Sequence, residues 1–182
     1  MPRPLRSPSA SACRGRPISL TPPCDGLYSL VVAVRIVETS DPRQTEALGA
    51  ELAALLQGGD VVLVRGELGS GKTTLVRGAA RALGVTAPVT SPTFSIGHRY
   101  VGSELTVSHL DLYRLADLGQ EDPGLLEDYL GAGRVAFVEW PKESERQLAH
   151  ARLNVTLTHG GGDHRRIEVG DGSEDEARGD AR

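Results

Sequence analysis

Eight residues constrain this chain more than any others: Gly66-Glu67-Leu68-Gly69-Ser70-Gly71-Lys72-Thr73. They fit G-x-x-x-x-G-K-[ST], the pattern of a phosphate-binding P-loop. The flanks agree with it. Asp60-Val61-Val62-Leu63-Val64-Arg65 is a short β-branched apolar run, the composition of a buried parallel strand. After the loop, Leu75, Ala79 and Leu83 share one helical face, and Gly84 stands where a helix stop belongs. Strand, tight loop and helix in that order point to an α/β fold.

Phosphate chemistry needs these residue types. Glycines let the backbone wrap closely around phosphate oxygens with its N–H groups turned inward. The helix N-terminus adds partial positive charge at the same spot. Lys72 can reach the β- and γ-phosphates as a point charge, and the Thr73 hydroxyl can bind Mg2+. The competing reading is a glycine-rich turn capping an ordinary helix. Lysine usage argues against it. Of 20 basic residues only Lys72 and Lys142 are lysines, and arginine's planar fork is no substitute at a point-charge position.

A chain of 182 residues with 39% apolar content supports one domain with a modest core. No run approaches the ~18 apolar residues of a membrane span. A net charge of −4 gives no basic footprint for direct nucleic-acid grip. Cys13 and Cys24 make no metal pattern and no disulfide scaffold, so a reducing, cytoplasmic setting is expected. Residues 1–27 are rich in Pro, Ser and Arg and are expected to be a disordered extension. A transit peptide is the alternative there. The domain is expected over 28–169, and the acidic, glycine-rich stretch 170–182 is expected to be a disordered tail.

Within the domain, 28–38 reads as the first strand. Asp41-Pro42 reads as a helix start, an N-cap acceptor followed by proline at the first helical position. Leu48, Leu52, Leu55 and Leu56 then form an apolar face, and Gly58-Gly59 are expected to end the helix. From Thr93 the chain alternates like a strand after the break at Pro92. Thr93 can contact Mg2+ or a γ-phosphate as switch segments do, or simply lie in the turn before a strand. The stretch from Leu105 to Arg114 begins as a strand and ends in charged groups, where ligand-facing side chains sit in open α/β sheets. There Asp111 can orient an attacking water or hold a metal-bound one, and Arg114 can pair with it. His109 reads as a satisfied strand histidine. Residues 115–130 read as a helical region. Arg134-Val135-Ala136-Phe137-Val138-Glu139-Trp140 has the form of an apolar strand ending in a metal-binding carboxylate, here Glu139. Trp140, the single tryptophan, can line a nucleotide site, a partner surface or the core. Residues 152–158 and 164–169 alternate around Gly160-Gly161-Gly162 and read as a C-terminal β-hairpin. Adjacent Arg165 and Arg166 point to opposite faces, so at most one reaches a nucleotide.

Four stretches in order, GELGSGKTT, SPTF, HLDLYRL and VEWP, resemble the TsaE family, also called YjeE. The resemblance covers about residues 35–169. It implies a P-loop NTPase-like, three-layer α/β fold with a mixed central β-sheet. It also implies ATP hydrolysis beside the TsaB and TsaD proteins in tRNA threonylcarbamoyladenosine synthesis, with tRNA met only through that complex and hydrolysis resetting it. By the same resemblance, Glu67, Leu68, Gly69, Ser70, Gly71, Lys72, Thr73 and Thr74 bind the ATP phosphates, with Thr73 and Glu139 on Mg2+. Asp111 matches an aspartate needed for activity, Thr93 a switch-like threonine, and Trp140 the tryptophan after the metal-binding glutamate. Asp41 stands where family members touch nucleotide ahead of the first helix, and Arg165 or Arg166 matches a C-terminal arginine contact.

Two other readings use the same loop. A small-molecule kinase would need an arginine-rich lid, which the sequence does not show clearly. A GTPase-like switch would use N-K-x-D for guanine, and the only asparagine, Asn154, is followed by Val155.

Overall fold

A computed structural model of the chain describes residues 34–92, 95–113, 128–141, 148 and 151–172. Its elements, in chain order, are β1 (Arg35–Thr39), α1 (Pro42–Ala53), β2 (Val61–Gly66), α2 (Lys72–Ala82) and β3 (Gly97–Val101). Then come β4 (Thr106–Asp111), β5 (Arg134–Glu139), β6 (Leu153–Gly161) and β7 (His164–Asp171). The seven strands form one sheet in the order β1-β7-β6-β2-β5-β4-β3. Strands β6, β2, β5 and β4 run parallel, whereas β1–β7, β6–β7 and β3–β4 pair antiparallel. The sheet is therefore mixed, and the strand that feeds the glycine loop lies inside it.

That position explains the apolar run before the loop. Val62 and Val64 face a core built with Leu48 and Leu52 of α1 and Leu75, Val76 and Ala79 of α2. Val61 and Leu63 face a second core with Leu110, Leu112, Ala136, Val138, Leu148 and Ala151. A strand covered on both faces has no polar side to alternate with. The two helices lie against each other over glycines. A Cβ on Gly49 would meet the Leu75 carbonyl oxygen at 2.1 Å, and one on Gly78 would meet that of Glu46 at 2.0 Å.

Helix starts and stops follow local chemistry. Asp41 caps α1: its Oδ1 accepts from the N–H of Arg43 at 2.7 Å and of Gln44 at 3.0 Å. The expected stop at Gly58-Gly59 is wrong, because α1 ends at Ala53. Leu55 and Leu56 N–H donate to Leu52 and Ala53 carbonyls three residues back, which tightens the chain out of the helix and leaves Leu55 exposed. Gly84 does stop α2. With φ +87 it lets its own N–H bond Arg81 O and the Val85 N–H bond Ala80 O, a Schellman closure.

Other expectations shift at their edges. The described first strand is Arg35–Thr39; residues 28–33 of the predicted one lie outside the described residues. The strand expected from Thr93 begins at Gly97, because Ser95 N–H turns back to Pro92 O. The tail expected from residue 170 starts later. Gly170 and Asp171 pair with Asn154 and Leu153, so strand pairing overrides their turn-like composition. Residues 1–33, 93–94, 114–127, 142–147, 149–150 and 173–182 lie outside the described residues, and with them most of the predicted helical region 115–130. Among the described residues no helix is long and apolar enough to cross a membrane.

Candidate functional site

The parallel strands β2, β4 and β5 end together, and their carboxyl ends carry the site. Register places Val64 opposite Glu139, and Asp111 opposite Glu139. The glycine loop leaves β2 at Gly66, where φ is +139 and a Cβ would meet Leu157 O at 2.4 Å. Gly69 and Gly71 also have positive φ, and the loop turns straight into α2. Gly71 is the N-cap and offers no side-chain cap. The first N–H groups of α2 are thus left to an anion rather than to a protein side chain.

Lys72 is the first residue of α2 and is buried. Its ammonium donates to Gly66 O and Glu67 O, both at 3.0 Å, and sits 4.1 Å from the centre of the Trp140 ring. Burial pushes its pKa below the usual lysine value, opposed by the carboxylates of Glu139 and Asp111. One residue on, Thr73 Oγ1 donates to Glu139 Oε1 at 2.9 Å. A hydroxyl from the loop and a carboxylate from the neighbouring strand thus meet as two hard oxygens. Among the described residues no group of three or more His, Cys, Asp or Glu could hold a metal ion. Mg2+ suits such a site, since it takes one or two protein oxygens and fills its shell with water and phosphate. A cleft of about 620 Å³ opens beside Thr73 and is also lined by Arg77, Arg81, Thr90 and Ser91. The glycine cradle, the uncapped helix start and the Thr73–Glu139 oxygens together fit a nucleotide triphosphate with Mg2+.

The remaining predicted residues take distinct places. Asp111 is held from two sides: Ser91 Oγ donates to its Oδ2 at 3.2 Å and Tyr113 N–H to its Oδ1 at 3.1 Å. Trp140 has φ 55, the only positive value at a non-glycine among the described residues. Its ring packs against Tyr113 with centroids 5.0 Å apart, and the Trp140 main-chain N–H donates to Val64 O at 3.3 Å. Arg165 reaches the loop from β7, donating from Nε to Ser70 O at 2.9 Å and from Nη2 to Gly69 O at 3.3 Å. Arg166 instead pairs with Glu168 on the surface. Glu67 and Leu68 are exposed at the loop tip, Leu68 by 85%, and Thr74 is half-buried in the first turn of α2. Asp41 spends its carboxylate on capping α1. Thr93 and Arg114 lie outside the described residues.

The sequence showed His109 only as a satisfied strand histidine, named Ser70 only within the phosphate loop, and gave Tyr113 no role. His109 is fully buried with Nε2 2.8 Å from Glu139 Oε1. Ser70 Oγ is buried in the loop with no hydrogen-bond partner among the described residues. Tyr113 backs Trp140. The pairing of β4 with β5 is what brings His109 to Glu139, and a single strand's pattern carries no record of its neighbour.

The family model described as "Threonylcarbamoyl adenosine biosynthesis protein TsaE" matches residues 39–167. The chain belongs to the TsaE family. It is 42% identical over 129 residues to the TsaE protein of Bacillus subtilis, covering 71% of this chain and 80% of that one. To the TsaE protein of Streptomyces coelicolor it is 42% identical, covering 64% and 80% respectively. Both relatives are described as tRNA threonylcarbamoyladenosine biosynthesis proteins. The solved structure of Bacillus subtilis YdiB superposes with a TM-score of 0.64 at 33% identity, covering 81% of this chain and 97% of that one. The α/β fold with its mixed seven-stranded sheet is thus shared with a solved relative.

Proposed function

We propose that this TsaE-family chain is the ATP-binding and ATP-hydrolysing component of tRNA threonylcarbamoyladenosine biosynthesis. In this reading it works in the cytoplasm with TsaB and TsaD, meets tRNA only through that complex, and resets it by hydrolysis. The observation that carries the ATPase part is the meeting of Thr73 Oγ1 with Glu139 Oε1 at 2.9 Å beside the buried Lys72 ammonium. Family membership supports the pathway.

Each residue has a task that follows from its position. Main-chain N–H groups of the loop and of the first turn of α2 bind phosphate oxygens. Lys72 exchanges its two carbonyl contacts for phosphate oxygens and stays beside the transferring group. Thr73 and Glu139 would hold Mg2+, which would neutralise phosphate charge when bound. Asp111, fixed by Ser91 and Tyr113, accepts a hydrogen bond from the attacking water and sets its line of approach. Arg165 braces the loop through the carbonyls of Ser70 and Gly69, which keeps the N–H groups facing the cradle. Trp140 covers the Lys72 ammonium, shields it from bulk water and holds it by a cation–π contact.

ATP turnover measured with and without the TsaB–TsaD pair tests this reading. Strong stimulation by the pair is expected. Turnover that ignores the pair and instead follows a small acceptor molecule would replace it with a kinase.

A further inference from the structure

Glu139 Oε1 receives two hydrogen bonds, from Thr73 Oγ1 at 2.9 Å and from the His109 ring at 2.8 Å. Neither uses Oε2. His109 is 0% exposed and Glu139 3%. The histidine sits two residues before Asp111 on β4, and the glutamate ends the neighbouring β5. A buried carboxylate on a strand end has rotamer freedom that a metal site must remove, since a misplaced ligand oxygen loses most of its worth.

We propose that His109 is the positioning residue of the metal site, resting on the ATPase reading above. Its Nε2–H clamps Oε1 of Glu139 against Thr73 and leaves Oε2 as the oxygen presented to Mg2+. An ionised carboxylate only accepts, so Nε2 carries the proton. Nδ1 is buried with no partner among the described residues. His109 therefore acts through Glu139 and touches neither nucleotide nor metal.

The experiment uses the full chain. First, 15N NMR of the imidazole reads whether Nε2 carries a proton in the wild type; a protonated Nε2 is expected, and a bare Nε2 overturns the proposal. Second, nucleotide affinity is titrated in EDTA and in Mg2+ for the wild type, His109→Leu and His109→Gln. The Gln amide nitrogen reaches about as far as imidazole Nε2 and still donates. The expected result is an Mg2+ enhancement that falls roughly tenfold or more in His109→Leu, the scale for loss of a residue that orients a metal ligand. His109→Gln restores most of it, and affinity in EDTA stays unchanged. An enhancement that survives in His109→Leu, or equal losses in EDTA and Mg2+ that Gln does not rescue, overturns it. Wild-type chain that binds no nucleotide in either condition rejects the ATPase reading itself, and this inference with it.

Discussion

The parallel centre of the sheet and its antiparallel wing are built by different rules. In β2 and β5 the runs Val61–Val64 and Val135–Val138 are buried throughout, and both strands end in the site. In β6 and β7 buried residues such as Val155, Leu157, Ile167 and Val169 alternate with more exposed ones. The centre carries Lys72, Thr73, Asp111 and Glu139 on or just after strand ends. The wing contributes Arg165 and His159, and both reach main-chain carbonyls of the loop. Chemistry is thus concentrated where backbone position is fixed from both sides, and the wing acts on it through loop shape.

That contrast predicts a graded set of losses. Lys72→Ala should lower ATP turnover by about a thousandfold, the scale for removing a preorganised charge from a transition state. Turnover within tenfold of wild type would remove the centre's claim. Because burial lowers the Lys72 pKa, its proton is lost before the ordinary 10.5. Nucleotide affinity should therefore decline on the alkaline side starting below that pH. Stability should move oppositely. The unfolded chain holds this proton more tightly, so the Lys72 contribution to stability rises with pH between the lowered value and 10.5. A flat affinity profile across that range would contradict the first expectation.

Phe137, fully buried in β5 one strand from the loop, tests how rigid the centre is. Phe137→Ala should cost about 3 kcal/mol or more in chemical denaturation, the ordinary range for a large cavity. Arg165→Ala should weaken nucleotide binding by roughly tenfold, about the worth of one charge-assisted hydrogen bond. Arg166→Ala should change it little, since an exposed ion pair contributes ~1 kcal/mol at most. The opposite ranking of these two arginines would break the account of the wing. Asp41→Ala should lower stability by about 1 kcal/mol through the lost helix cap, with thermal melting as the check. A large loss of nucleotide affinity with no change in melting would instead assign its carboxylate to the ligand.

Much of this was legible in the chain because the motifs are local. The loop, the strand before it, the Gly84 stop and the Asp41-Pro42 start each depend on residues within a few positions of one another. Glu139 was readable because a strand of four apolar residues must end somewhere polar. The parity of β7 separated Arg165 from Arg166 in principle, but which face met the loop depended on how β7 pairs with β1 and β6. The link from His109 to Glu139 was invisible for the same reason: it exists only through the register of β4 on β5. The helix stop at Gly58 was misread because glycine marks a permitted end, whereas the backbone bonds at Leu55 and Leu56 close the helix sooner.

Calorimetric titration of the full chain with ATP in the presence of Mg2+, repeated on Lys72→Ala, tests the central claim most directly. A single site in the wild type that is lost in the variant is the predicted result. Equal binding by both proteins would mean that the phosphates rest somewhere other than this loop.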